Sequence, residues 1–320
     1  MVDWHVRLQR GASPWLPQRV TPKEQRVDLV IRAVNTEAGS NFLWKKVGPF
    51  WVPIPDYALR LRALAKAFNQ DWPRSIGLIG MQQIKENMKD CPVPPESDDG
   101  THCFARILES EYNATGQHLS ATPARGEFQL PPGTPWPWTG SIGLGAVVGS
   151  PWQIESQLCW PIGKDYFWYG GGSTRFLQEL KLVHGSKGWR LTLYNTHLSH
   201  PGDRKNDERR NMEIENIKFA AKSRIRAGEL LPIVVGDFNF HFNNSINADT
   251  MATDFSLVHH DGDKIHIWVG RRTSFPQTIG AYTALWTATT WSGGHVLDGI
   301  SLPKLTGDHN SPSVGFNIEI

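Results

Sequence analysis

Three cysteines in 320 residues leave this chain without a dense disulfide framework, and at this length none is needed, since roughly three quarters of the unfolded surface can be buried. No apolar run reaches the roughly 18 residues required of a helical membrane span. The opening stretch, MVDWHVRLQRGASPWLPQRV, lacks the long apolar core of a signal peptide. Nor does one sign of charge dominate. Lys+Arg 33 against Asp+Glu 31 leaves +2, which argues against a histone-like electrostatic binder and makes any basic surface a local one. With no internal repeat, no dominant period and ordinary apolar content, collagen, coiled coil and bulk disorder are excluded. The compartment is open between the cytosol and a mature secreted chain behind a starter Met. The cysteines favour secretion slightly: Cys91 and Cys103 bracket CPVPPESDDGTHC, a Pro/Asp/Gly loop that a disulfide could close, leaving Cys159 alone. Two reduced thiols are the alternative, because pairing is not readable from sequence. Asn113-Ala-Thr and Asn243-Asn-Ser are glycosylation sequons.

What the chain does have is tryptophan, 14 in all, more than four times ordinary usage of roughly 1%. It also has a series of strand-like segments: Val27–Val34, Ile76–Ile84, Ile142–Val148, Phe176–Val183, Arg190–His197, Leu231–Phe238, Val296–Leu302 and Val314–Ile320. Several are almost continuously apolar, as expected of strands covered on both faces. Two helices are expected between them. One follows the cap residue Asp56, with Leu61, Leu64, Ala65 and Phe68 in one buried stripe. The other runs from about Asp207 to Ala227 with Ile214, Ile217, Ala221 and Ile225 inward and Gly228 as a stop. Its charged residues Arg209, Arg210, Glu213, Glu215, Lys218 and Lys222 read as a solvated face. Pro92–Thr101, Pro131–Thr139 and Gly170–Gly172 read as loops, none long enough to link separate domains. Residues 1–26 are expected to be an N-terminal extension and 27–320 a single α/β domain of two packed sheets.

Short polar clusters sit at the ends of these strands. Asn35 and Glu37 end the first, Gln83 the second, Asn195 and His197 the fifth, and Asp237 and Asn239 the sixth. Residues i and i+2 of a strand share a face, so each pair points one way. Asp298, Asp308 and His309 add two carboxylates and an imidazole. Singly, each has an ordinary explanation as a turn or cap residue; six clusters together are harder to explain so. Oxygen donors with imidazole and no Cys pair suit a hard cation, Mg²⁺ or Mn²⁺. Around such an ion they suit attack on a phosphate ester, in which charge on the phosphoryl oxygens is neutralised and a water is activated.

The blocks AVNTEAG, GLIGMQQI, LYNTHLSH, VVGDFNF, HVLDGISLP and GDHNSP resemble, in order, the signature blocks of the endonuclease/exonuclease/phosphatase superfamily, the fold of pancreatic-type deoxyribonuclease. They span about residues 27 to 320. The resemblance implies a four-layer α/β/β/α sandwich of two mixed sheets flanked by helices, with the site at one end of the paired sheets. It implies a divalent-metal-dependent phosphoesterase. It gives Asn35 and Asp308 as metal-site residues, with Glu37 where some members carry an acidic one. It gives Asp237 and Asn239 as the pair that orients or deprotonates the water and holds the phosphate, His309 as the site imidazole oriented by Asp298, and His197 as a donor to a phosphate oxygen. The base stays open between Asp237 and His309.

One block departs from the pattern. Where the family has Gln-Glu, with the Glu a metal ligand, this chain reads Gln82-Gln83. An amide offers oxygen without charge, so cation binding is expected to weaken. An inactivating substitution, divergence with compensation by Glu37, and a retired enzyme all remain open. For the substrate, Arg204, Lys205, Arg209 and Arg210 form a local basic cluster that would contact phosphates of a nucleic acid, with Arg271 and Arg272 a second. Trp136, Trp138, Trp160 and Trp168 could instead form an aromatic rim for a lipid or small phosphoester. A nuclease or related phosphodiesterase is favoured over a phosphomonoesterase or lipid phosphodiesterase. A non-catalytic binding protein using the same cleft, or an aromatic-rich glycan-binding module, are the readings from other classes. The chain is expected to act as a monomer.

Overall fold

The structure, a computed structural model, describes residues 6–8, 27–36, 43–47, 50–54, 57–72, 75–85, 100–112, 120–128, 142–166, 172–200, 204–243, 245–262, 264–291, 293–297, 300–304 and 309–320. In chain order the elements are β1 (Val6–Leu8), β2 (Leu29–Asn35), β3 (Leu43–Val47), β4 (Phe50–Ile54), α1 (Tyr57–Asp71), β5 (Leu78–Lys85), α2 (Gly100–Glu111), β6 (Ser120–Phe128) and β7 (Ile142–Val148). There follow β8 (Trp152–Tyr166), β9 (Gly172–His184), β10 (Arg190–His197), α3 (Arg204–Arg224), β11 (Ile233–Asp237), α4 (Ile246–Ala252), β12 (Phe255–His260) and β13 (Ile265–Gly270). The last are β14 (Ala281–Thr290), β15 (Gly293–Leu297), β16 (Ile300–Lys304) and β17 (Ser311–Glu319).

These strands make a seven-stranded sheet, β1-β14-β17-β2-β5-β7-β6, and a six-stranded sheet, β12-β13-β11-β10-β9-β8, besides two hairpins. Each large sheet is built about one parallel pair at its centre, β2 with β5 and β10 with β11, flanked by antiparallel neighbours. A parallel pair requires a crossover, and α1 and α3 supply the two. Central strands covered on both faces need apolar residues on both, which is why β2 and β11 are buried throughout and β10 from its second residue on. The expected stripes of both helices are buried: Leu61, Leu64, Ala65 and Phe68 on α1, and Ile214, Ile217, Ala221 and Ile225 on α3.

The two sheets pack closely at the middle of β5, where a Cβ on Gly80 would collide with the Val235 side chain of β11. Beside it, the buried Asn195 of β10 joins them. Its Oδ1 accepts from Gln82 Nε2 at 2.7 Å, and its Nδ2 lies 3.0 Å from Met81 O, 2.9 Å from Gly145 O and 2.9 Å from Gln178 Oε1.

Several expectations need correction. Four helices are described rather than two: Cys103, Phe104, Ile107 and Leu108 form the buried stripe of α2, so Thr101 is helical, and α4 packs beside α3. Helix α3 starts at Arg204 and ends at Arg224, short of Ala227. Gly172 opens β9 instead of closing a loop, and β8 pairs with β9 along its whole length. The exposed polar residues of β8 give it no apolar signal. In the stretch expected to be an extension, Val6–Leu8 pairs parallel with β14 as an edge strand. Cys103 is disulfide-bonded and Cys159 is not, while Cys91 lies outside the described residues. No helix among the described residues is long and apolar enough to cross a membrane.

Candidate active site

The carboxyl ends of the two parallel pairs meet, and they carry the polar residues: Asn35 on β2, Gln83 on β5, His197 on β10 and Asp237 on β11. In open α/β sheets this is the end at which ligands bind; here two such ends face one another. The Asp237 carboxylate is at the centre and is buried. Its Oδ2 accepts from Asn35 Nδ2 at 2.8 Å, and stands 3.8 Å from His197 Nε2 and 3.6 Å from His309 Nε2. Its Oδ1 accepts from the Asn239 backbone N–H at 2.9 Å. Burial alone would raise the Asp237 pKa; the imidazoles of His197 and His309, the Asn35 amide and the Asn239 N–H outweigh it and hold the group below the usual carboxylate range. Asp237 is therefore an anion at neutral pH.

Two of these residues have left-handed backbone. Gln83 (φ 52°) and Asn239 (φ 53°) are the non-glycine residues of positive φ among those described. Such strain is retained where surrounding contacts over-determine it. At Gln83 the cause is a bulge in the β5–β7 ladder between Met81 and Ile84, held by Thr36, whose Oγ1 lies 3.2 Å from Gln82 O and 2.9 Å from Gln83 O. The bulge leaves Gln83 Oε1 buried without a hydrogen-bond partner. At Asn239 the side-chain Nδ2 donates to Leu198 O at 2.9 Å, so its amide nitrogen is committed to the loop after β10.

That loop is secured from α3. Arg210 Nη1 donates to Ser199 O (3.1 Å) and His200 O (2.7 Å), and Glu213 accepts from Ser199 N (2.9 Å) and Ser199 Oγ (2.6 Å). Arg210, Glu213 and Lys218 are buried, so part of the face expected to be solvated is not; Arg210 and Glu213 anchor the helix to the site, and Lys218 pairs with Asp254. Arg209 bonds Asn206 on its own helix at 2.8 Å, and Arg271 donates to Phe255 O at 3.1 Å. The side chain of Arg204 is outside the described residues. Trp160 packs on the core beneath the Arg224 guanidinium (5.1 Å) rather than forming a rim, and Trp136, Trp138 and Trp168 lie outside the described residues.

Of the expected site residues, Asn35, Gln83, His197, Asp237, Asn239 and His309 come to one end of the sheets, with Asn35, His197, Asn239 and His309 each within 4 Å of the Asp237 carboxylate. Glu37, Asp298 and Asp308 lie outside the described residues. Two further residues were not anticipated. Asp261, at the β12–β13 turn, has its Oδ2 3.8 Å from His309 Nδ1; in sequence it precedes Gly262 and reads as a turn residue. Arg175 on β9 bonds His197 and His200, with no motif to mark it. Among the described residues, no group of three or more His, Cys, Asp or Glu is placed to hold a metal ion.

A mixed α/β sandwich whose polar residues converge at the ends of two facing parallel strand pairs is a defined class of architecture, and solved structures share it. A Beutenbergia cavernae endonuclease/exonuclease/phosphatase superposes with TM-score 0.56 at 14% identity, over 92% of this chain and 72% of that one. Zebrafish TDP2 complexed with a single-stranded DNA product gives 0.55 at 13%, over 90% and 98%. The Bacteroides thetaiotaomicron mannosyl-6-phosphatase Bt3783 gives 0.52 at 12%, over 90% and 99%. No family model matches the sequence, and no curated protein matches it. The chain has the endonuclease/exonuclease/phosphatase fold, that of the DNase I-like superfamily.

Proposed function

We propose that this chain is a divalent-metal-dependent phosphoesterase, acting on a phosphodiester by in-line attack of water. The observation that carries the reading is the convergence of Asn35, His197 and His309 on one oxygen of the buried Asp237. Preoriented donors at a buried site suit the negative charge developing on a phosphoryl group, and the Asp237 anion suits holding the attacking water. Asp237 and the Asn239 amide oxygen orient the water. His309, with the Asp261 carboxylate behind Nδ1, takes its proton at Nε2. His197 donates from Nε2 to a phosphoryl oxygen.

The donor set fits Mg²⁺ or Mn²⁺. Gln83 Oε1 is a buried acceptor without a partner, Asn35 has its amide nitrogen committed to Asp237, and Asp308 adjoins His309 in sequence. Asn35, Gln83 and Asp308, with Glu37, would hold the ion, which when bound supplies charge neutralisation on the phosphoryl oxygens. Nucleic acid is the favoured substrate class, with a phosphomonoester or lipid phosphodiester next. The test is hydrolysis of bis-p-nitrophenyl phosphate with Mg²⁺ or Mn²⁺. Turnover abolished by EDTA, by Asp237→Asn and by His309→Gln is expected. Turnover that survives EDTA refutes the metal dependence, and turnover that survives either substitution refutes the roles.

The amide at Gln83 favours one second reading, a binding protein that keeps the cleft without turnover. It is supported if this sequence and Gln83→Glu both bind phosphoester and neither hydrolyses it.

A further inference from the structure

The two imidazoles flanking Asp237 are wired in opposite senses. Behind His309 stands a carboxylate, with Asp261 Oδ2 3.8 Å from Nδ1. Behind His197 stands a cation. Arg175, buried on β9, places Nη1 3.3 Å from His197 Nδ1 and Nη2 2.7 Å from His200 Nδ1, spanning both rings with one guanidinium. The two rings meet edge to face at 5.7 Å.

A guanidinium has only donors and stays charged at any working pH. Both Nδ1 atoms must therefore accept, and a neutral imidazole whose Nδ1 accepts carries its proton on Nε2. We infer that Arg175 is a positioning residue that locks His197 and His200 in the Nε2–H tautomer, making His197 a fixed neutral donor into the site and leaving the proton-accepting role to His309. Nothing in the fold itself demands this. The lock follows from a charged side chain at a buried strand position whose neighbours on β9, Leu177 and Leu180, are core residues.

Protonating His197 would set an Nδ1–H against the guanidinium in a buried place. Burial first, and then Arg175, press its pKa well below the ordinary histidine value; His200 and His309 push the same way, and Asp237 opposes them. The donor thus keeps its proton inventory across the range in which an ordinary histidine would change. A carboxylate in the place of Arg175 would do the reverse, drawing the Nδ1 proton and turning Nε2 into an acceptor. The geometry is independent of the phosphoesterase reading; its catalytic consequence rests on that reading.

The decisive measurement is made on the unsubstituted protein. Long-range ¹H–¹⁵N correlation spectra of ¹⁵N-histidine-labelled full chain, with peaks assigned through His197→Gln and His200→Gln, should show an accepting Nδ1 on both rings at pH 8, and His197 neutral with its proton on Nε2 from pH 8 to pH 6. An Nδ1–H tautomer at His197, or a doubly protonated ring in that range, overturns the inference whether or not the chain is an enzyme. Arg175→Met should give His197 a mixture of tautomers. With bis-p-nitrophenyl phosphate it should lower kcat about 10²-fold, in the range for losing one oriented donor, with KM changed less than threefold. Arg175→Lys, which keeps a cationic donor, should recover the Nε2–H form and part of kcat. Unchanged kcat in Arg175→Met, or a loss confined to KM, overturns the positioning role. Absence of turnover in every variant, with the tautomer as stated, instead removes the phosphoesterase reading and leaves the lock standing.

Discussion

Asn195→Leu is the sharpest test of how the two sheets are joined. The substitution keeps the branched skeleton of a fully buried side chain and deletes its amide. Gln82 Nε2 loses its acceptor and Gln178 Oε1 a donor, and the carbonyls of Met81 and Gly145 lose an additional one. A buried polar group deprived of its partner costs about 1–3 kcal/mol, so the two side-chain amides together amount to roughly 2–6 kcal/mol. Burying the leucine returns about 1.5–3 kcal/mol. A net destabilisation near 2 kcal/mol is expected, read as a lower urea midpoint at unchanged slope. The argument has a stricter form in the double substitution. If the cost comes from stranding Gln82, then Gln82→Leu together with Asn195→Leu should cost less than the sum of the two singles by about 1–3 kcal/mol. Additivity within about 0.3 kcal/mol would mean that the amide pair does not couple the sheets.

Three further outcomes are expected. Gln83→Glu should tighten binding of Mg²⁺ or Mn²⁺ and raise turnover, while melting lower than the unsubstituted protein in EDTA and regaining stability as metal is added; an unchanged response to metal in both calorimetry and melts would show that Gln83 is not the missing ligand. Stability should fall as pH drops from about 6.5 towards 4. Burial holds His259 at about 4 and His197 also below its ordinary value, so the unfolded chain binds more protons through that window, at up to about 1.4 kcal/mol per pH unit for each group. Urea midpoints should show the slope, His259→Gln should flatten it, and a flat profile would contradict the buried neutral state. Cys103→Ser should lower stability by about 2–3 kcal/mol if the bridge closes the short loop back to Cys91, and thiol titration of the native chain should find one reactive cysteine, not three.

The elements that hold the site were legible because their residues are buried on two faces and end abruptly in polar ones. Leu29–Asn35, Arg190–His197 and Ile233–Asp237 are apolar runs that deliver Asn35, His197 and Asp237, and the stripes of α1 and α3 follow helical spacing. The long hairpin of β8 and β9 was only half legible, since β8 is an edge strand facing water along much of its length. What could not be read was the charge that lies inside. Arg175, Arg210 and Glu213 look solvent-facing in sequence because burying a charge is unfavourable unless it is paired. Their partners are His197, His200 and the Ser199 loop, which are near neighbours only after the sheets have formed. Asp261 is hidden for a similar reason: an Asp-Gly pair signals a turn, and what the turn reaches depends on where β17 brings His309.

The six-stranded sheet is drawn from one uninterrupted stretch, residues 152 to 270, whereas the seven-stranded sheet is assembled from chain on both sides of it. Strand β17 (Ser311–Glu319), the last of the strands in sequence, lies between β14 and β2 in the interior of that sheet. During synthesis the six-stranded half can therefore complete itself while Leu29–Asn35 waits, one edge bare, for a partner made some 280 residues later. A ribosome stalled before Ser311 would hold a nascent chain with an open β edge and an unassembled candidate site. The proposed phosphoesterase activity should appear abruptly when β17 emerges, not by degrees.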